Sequence, residues 1–176
     1  MGYTVRRVRA QEWEAVRALR LEALQDPVAP LAFLTSHEFE AAHVDDFWKQ
    51  RTSAAASGGS VAQFVVADDD GRWVGSATGL LEEPGTDDYA HHGVEQRQVH
   101  VVGVWLHPEH RGRGLIQQAI DAVVGWGREH GALRARLYVH ADNPRAQAAY
   151  LKAGFERTGL TFESKVGPEV ELAKPL

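Results

Sequence analysis

Between Arg97 and Leu115 the chain passes from a valine-rich run into a loop of glycines and arginines, and this junction constrains the fold most. Val99, Val101, Val102 and Val104 leave little polar alternation in the run ending at Leu106. β-Branched residues suit a strand, and apolar residues on both sides require both faces to be covered. Gly103 interrupts the run, where a bulge or a close approach is expected. From Leu115 to about His130, Leu115, Ala119, Ala122, Val123 and Trp126 share one helical stripe, and Gly131 closes the helix. A buried strand feeding a helix that must return over the sheet points to an α/β architecture.

The flanking segments extend that pattern. Tyr3–Val8 reads as a first strand and Ala10–Gln25 as a helix, ended by Asp26-Pro27. Thr35 with Glu38 has capping-box spacing, so a second helical region follows. Ala62–Ala67 and Trp73–Leu81 are strands joined by the turn Asp68-Asp69-Asp70-Gly71. Those aspartates lack the alternating spacing of a calcium loop. Leu133–Val139 is a strand, Asn143-Pro144 opens a helix that stops at Gly154, and β-like segments finish the chain. The expected fold is a mixed sheet of six or seven strands with helices on both faces, one domain over residues 1–176.

Composition narrows the function. Lys and Arg total 19 against 24 Asp and Glu, a net charge of −5, which disfavours a nucleic-acid partner. Cysteine is absent, so disulfides and thiolate ligands are excluded. No apolar run approaches the ~20 residues of a membrane span, and no secretory h-region follows the N-terminus. Neither membrane association nor export is expected, and a cytoplasmic protein fits. His91-His92 lacks a spaced third ligand, so no metal site is expected.

The chemistry gathers at Arg111-Gly112-Arg113-Gly114, between the buried strand and the helix. A helix start exposes unpaired N–H groups and the positive end of the dipole, glycines admit a bulky anion, and arginines add charge. Such a site suits a phosphate or pyrophosphate. The Lys-Ser/Thr of a P-loop and the third glycine of a dinucleotide fingerprint are missing. A tight turn with solvated arginines is the plainer alternative.

One strand later comes Asn143, then Ala146, Tyr150, Gly154 and Phe155. Together the two segments resemble the GNAT superfamily of acetyl-coenzyme A-dependent N-acetyltransferases. Arg111 through Ile116 is similar to its pyrophosphate motif, and Asn143 to Phe155 to its downstream motif. Ile116 departs from the pattern, where Gly or Ala is usual. The resemblance implies a slot between Arg97–Leu106 and Leu133–Val139, with the backbone of Val104 and Leu106 pairing with the pantetheine arm. It implies pyrophosphate contacts from Arg111, Gly112, Arg113, Gly114, Leu115 and Ile116, with Asn143 as a further contact or only a helix cap. Tyr150 is implied as the general acid that protonates the departing thiolate.

His100 is the leading candidate for the base that takes the amine proton, because histidine titrates near neutrality. Glu95, His91, His92 and His140 are the other candidates. The acceptor is expected to be a small-molecule or peptide amine, and a homodimer is compatible with this reading. Residues 82–96 hold five carboxylates and no Lys or Arg, which suggests an acidic rim that draws in a cationic acceptor. Two rivals stay open: an acyl-coenzyme A sensor without turnover, and a nucleotide-phosphate binder that uses only the arginine–glycine loop.

Overall fold

In the computed structural model, which describes residues 2–176, seven strands form one sheet in the order β1-β2-β3-β4-β5-β7-β6. The strands are β1 (Tyr3–Arg7), β2 (Val61–Asp68), β3 (Trp73–Glu82), β4 (Gln98–Leu106), β5 (Arg134–His140), β6 (Glu156–Ser164) and β7 (Gly167–Pro175). A 3-10 turn (Ala10–Glu12) and four α-helices separate β1 from β2: α1 (Trp13–Ala23), α2 (Ala29–Ala32), α3 (His37–Ala41) and α4 (Asp45–Ser57). Helix α5 (Leu115–Glu129) links β4 to β5, and α6 (Pro144–Lys152) links β5 to β6. The expected mixed sheet with helices on both faces is present. Ser36, one residue beyond the expected Thr35, caps α3, its Oγ accepting from the Phe39 N–H at 3.2 Å.

Two cores sandwich the sheet. On one face α5, α6 and the turn after α6 pack Leu115, Ile120, Val123, Tyr150 and Phe155 against Val99, Val101 and Leu137. On the other, α1 and α4 bring Val16, Leu19 and Trp48 onto Val65 and Trp105.

Strand β4 changes face part-way along. Val99 and Val101 face α5, yet after Gly103 it is Val104 and Leu106 that face the same core, while Trp105 joins the other. The β3–β4 register slips at the same place, between Ser76↔Trp105 and Thr78↔Val102. Gly103 sits at φ 60°, a left-handed conformation that β-branched residues avoid. The glycine in the valine run is therefore a bulge.

Only β4 and β5 run parallel, and they pair over three residues, Gln98–His100 against Arg134–Arg136. Beyond that point they part. Strand β5 stays paired with β7 through His140, and β4 with β3 through Leu106. A V-shaped slot therefore opens between β4 and β5, flanked by backbone groups that no strand covers.

Candidate active site

The slot has an identifiable β4 wall. The His107 N–H donates to the Val74 carbonyl of β3 at 2.7 Å. Across a trans peptide the Leu106 carbonyl must face the opposite edge, into the slot, and strand alternation turns Val104 the same way. Pantetheine-like amides could pair there as an added strand does.

At the mouth of the slot, Gly112 (φ 76°) and Gly114 (φ 73°) both take left-handed conformations, and Gly114 is the N-cap of α5. Successive N–H groups in such a loop converge on one point and make a nest for an anion. Leu115 is buried, and Ile116 packs against the α5-side core, so the bulk that departs from the usual pattern is absorbed on the core.

The two loop arginines behave differently. Arg111 is tied into the protein: Nε donates to the Leu106 carbonyl at 3.0 Å, and a terminal nitrogen to Asp26 Oδ2 at 2.6 Å. Asp26 is buried after α1 and also accepts from Trp105 Nε1 at 3.0 Å and the Val28 N–H at 3.0 Å. Burial raises the Asp26 carboxyl, but these three donors outweigh it and hold it below the usual carboxylate range. Arg113 is exposed and donates to the Tyr3 hydroxyl at 3.0 Å, which also bonds His110 Nδ1 at 2.9 Å.

Tyr150 is buried on α6 with its ring near Phe155, at 6.5 Å between centroids. Its hydroxyl has no hydrogen-bond partner among the described residues. Burial pushes the phenol up to about 12, so it stays protonated at neutral pH. Asn143 caps α6, its Oδ1 accepting from the Ala146 N–H at 3.2 Å.

Comparison with known proteins places this arrangement. The family model described as "Acetyltransferase (GNAT) family" matches residues 13–155. The chain belongs to the GNAT acetyltransferase family. It is similar to a mycothiol acetyltransferase of Corynebacterium glutamicum (strain R), 44% identical over 64 residues, or 36% of this chain and 21% of that protein. The chain thus spans about a fifth of the curated relatives it matches. A GNAT-family acetyltransferase from Streptococcus pneumoniae superposes with a TM-score of 0.73 at 14% identity, covering 99% of this chain and 100% of that one. A phosphinothricin acetyltransferase from Sinorhizobium meliloti, solved with acetyl-coenzyme A, gives 0.72 at 19% identity over 100% and 89%. At these identities the solved structures establish the fold.

In this GNAT chain His100 lies on the face away from α5 and is fully buried. Its Nδ1 is 3.1 Å from Glu82 Oε2, and its Nε2 is buried without a partner. Tyr89 stacks on the ring at 5.0 Å, and Tyr138 meets it edge-on at 4.8 Å.

The rest of this cluster was not anticipated from the sequence. Arg136, at the point where β4 and β5 part, is 1% exposed and donates to Glu82, Asp88 and Glu171 at 3.1, 2.6 and 3.1 Å. For Glu82 and Asp88, burial raises the carboxyl. Hydrogen bonds, from His100 to Glu82 and from Tyr138 to Asp88, with the charge of Arg136 outweigh it and leave both below their usual range. Glu82, Asp88 and His100 have ligand atoms within 4.8 Å of one another, a metal-like grouping, but the Arg136 guanidinium already serves two of them as the cation.

This reduces the expected acidic rim. Of the five carboxylates in residues 82–96, Glu82 and Asp88 turn inward to Arg136, and Glu83 pairs with Arg97 at 3.0 Å. Asp87 and Glu95 stay exposed with no ion pair among the described residues, so two unpaired carboxylates remain of the five. His140 is also occupied: Nε2 lies 2.8 Å from the Val166 carbonyl and Nδ1 accepts from the Asp142 N–H at 3.0 Å.

Arg145 is a further residue to which the sequence assigned no role. Burial and the nearby charge of Arg111 lower its pKa, so the two arginines share one neighbourhood. It has no ion pair among the described residues. The signal was its position, two residues after Asn143 in the first turn of α6.

Proposed function

We propose that this chain is an acetyl-coenzyme A-dependent N-acetyltransferase that acetylates a primary amine of a small molecule or peptide. The observation that carries this reading is the parting of β4 and β5 after three paired residues, directly beside the Gly112–Gly114 nest. An extended arm with amides suits the slot, and a pyrophosphate suits the nest.

In this reading the N–H groups from Gly112 to Ile116 hold the pyrophosphate, with Arg113 and Arg145 supplying charge. Arg111, engaged with Asp26 and the Leu106 carbonyl, chiefly holds the loop in place. The backbone of Val104 and Leu106 pairs with the pantetheine amides, and Asn143 fixes the start of α6. The amine nitrogen bonds to the acetyl carbonyl carbon while the slot-facing N–H of Val104 stabilises the oxyanion. The carbon–sulfur bond then breaks, and the Tyr150 phenol protonates the departing thiolate. The phenolate is restored by the proton that the amine releases. His100 is our candidate for the base that first takes the extra proton from the ammonium form of the acceptor: with Nδ1–H donated to Glu82, Nε2 is the accepting nitrogen.

The test is release of free coenzyme A from acetyl-coenzyme A over polyamines, amino acids, aminoglycosides and peptide N-termini. Amine-dependent release with a matching acetylated product is expected. Thermal stabilisation by coenzyme A without turnover on any amine would instead favour the sensor reading.

A further inference from the structure

On the sheet face opposite α5, α1 roofs a small, partly open cavity that reaches the β4 bulge. Its walls include Arg20 and Arg51 above Gln63, Ser76, Thr78 and Gly103. The free space is about 30 Å³, room for one or two waters or a single carboxylate-sized head group.

The charges around it do not balance. Arg20, Arg51 and His43 all look to one carboxylate, Glu40, at 3.4, 3.7 and 3.8 Å. Charge-assisted pairs usually close to about 2.7–2.9 Å, so no arginine here has a tight partner. Arg20 is only 18% exposed, and its guanidinium carbon lies 4.6 Å over Phe33, another wall of the cavity. Its Nε is buried with no acceptor. A buried guanidinium N–H without an acceptor is costly, and a partly satisfied polar network calls for another member. Glu40 Oε2 is also buried without a hydrogen bond, so the network is unfinished on both sides, and with two arginines facing one carboxylate the charge count favours an anion as the missing member. The hydroxyls of Ser76 and Thr78 and the amide of Gln63 add donors around the same space.

We propose that the acceptor is an α-amino acid, its carboxylate seated between Arg20 and Arg51 and its amine directed at the bulge of Gly103. This rests on the acetyltransferase reading and names its substrate class. One small cavity touches both the arginines and the bulge, so amine and carboxylate must be close together, as on a single α-carbon. The amine nitrogen gains the acetyl carbon, the carbon–sulfur bond breaks, and the amine proton is released as the thiolate is protonated. The product is an N-acetyl amino acid and free coenzyme A.

The experiment compares the twenty common L-amino acids with their carboxamides, which keep the side chain and amine but lose the carboxylate charge. At least one free acid should be used with a kcat/KM roughly 10- to 100-fold above that of its amide, the worth of a charge-assisted contact. Arg51→Gln is the safer variant because its side chain is 42% exposed, and Arg20→Lys is the second. Arg51→Gln should collapse the acid-to-amide ratio toward one. Equal or better use of the amides overturns the inference, as does a lack of any amino-acid acetylation while acetyl-coenzyme A binds by calorimetry. Failure to bind acetyl-coenzyme A would overturn the acetyltransferase reading itself, and this inference with it.

Discussion

Asp26→Asn tests whether the pyrophosphate loop is held by an ion pair across the chain. The carboxylate is 3% exposed and its partner Arg111 is 26% exposed, so the pair is largely shielded from water. Asparagine keeps the shape and one oxygen, but removes the charge that holds Arg111 and two further donors. A hydrogen bond to a charged group contributes roughly 1.5–3 kcal/mol, and stripping one partner from a fully buried pair costs about 3–5 kcal/mol. Arg111 keeps some solvent and its bond to Leu106, so we expect a loss of about 2 kcal/mol, or roughly 4–8 °C in Tm for a chain of this size. The sign with pH follows from the lowered carboxyl of Asp26. Its folded pKa lies below the unfolded one, so its contribution is present above the unfolded value of about 4 and fades as pH falls through the folded value. The difference between wild type and variant should therefore be full at pH 7 and shrink below pH ~4. Reversible thermal melts monitored by circular dichroism across that range measure it. A Tm within 1–2 °C of wild type at pH 7 (about 0.5 kcal/mol or less), or a gap that widens in acid, would refute the reasoning.

Three more expectations are direct. Tyr150→Phe keeps the ring and removes the proton, so kcat should fall by roughly 10²-fold while the KM for acetyl-coenzyme A stays put; unchanged turnover would return Tyr150 to a packing role. Gly103→Val forces a β-branched residue into the left-handed bulge and should weaken coenzyme A binding. In Gly125→Ala, on α5 where an added Cβ would point into open space, stability should instead rise by about 0.5–1 kcal/mol, and calorimetry with thermal melts reads both. Arg136→Met strands Glu82, Asp88 and Glu171 without their shared cation and should cost about 3–5 kcal/mol at pH 7. Less should be lost in acid as the carboxylates protonate, which urea titrations at two pH values will show.

What the sequence disclosed was local. The valine run and Gly103 showed the central strand and its bulge, because a strand's face pattern and a glycine's backbone freedom are written in neighbouring residues. The glycine–arginine loop and the Asn143-Pro144 helix start were readable for the same reason. The contacts that fix the charges were not. Asp26 meets Arg111 across 85 residues, and Arg136 reaches Asp88 across 48. No spacing rule couples such positions. Arg134 and Arg136, flanking Ala135 and followed by Leu137, Tyr138 and Val139 in one strand, could have signalled buried carboxylates, and the segment holding Glu82 and Asp88 would then not have read as a solvent-facing rim. The Arg20–Arg51 cavity likewise depends on how α1 and α4 settle on the sheet.

The most direct test of the account is calorimetric binding of acetyl-coenzyme A beside S-acetylpantetheine, which keeps the arm and thioester but lacks the pyrophosphate. If the β4–β5 slot holds the arm and the α5 nest holds the pyrophosphate, acetyl-coenzyme A should bind at least 100-fold more tightly, the equivalent of one or two charge-assisted contacts at about 1.5–3 kcal/mol each. Arg113→Ala combined with Arg145→Ala should erase most of that difference. Equal affinity for the two thioesters, or no binding of acetyl-coenzyme A, would contradict the account.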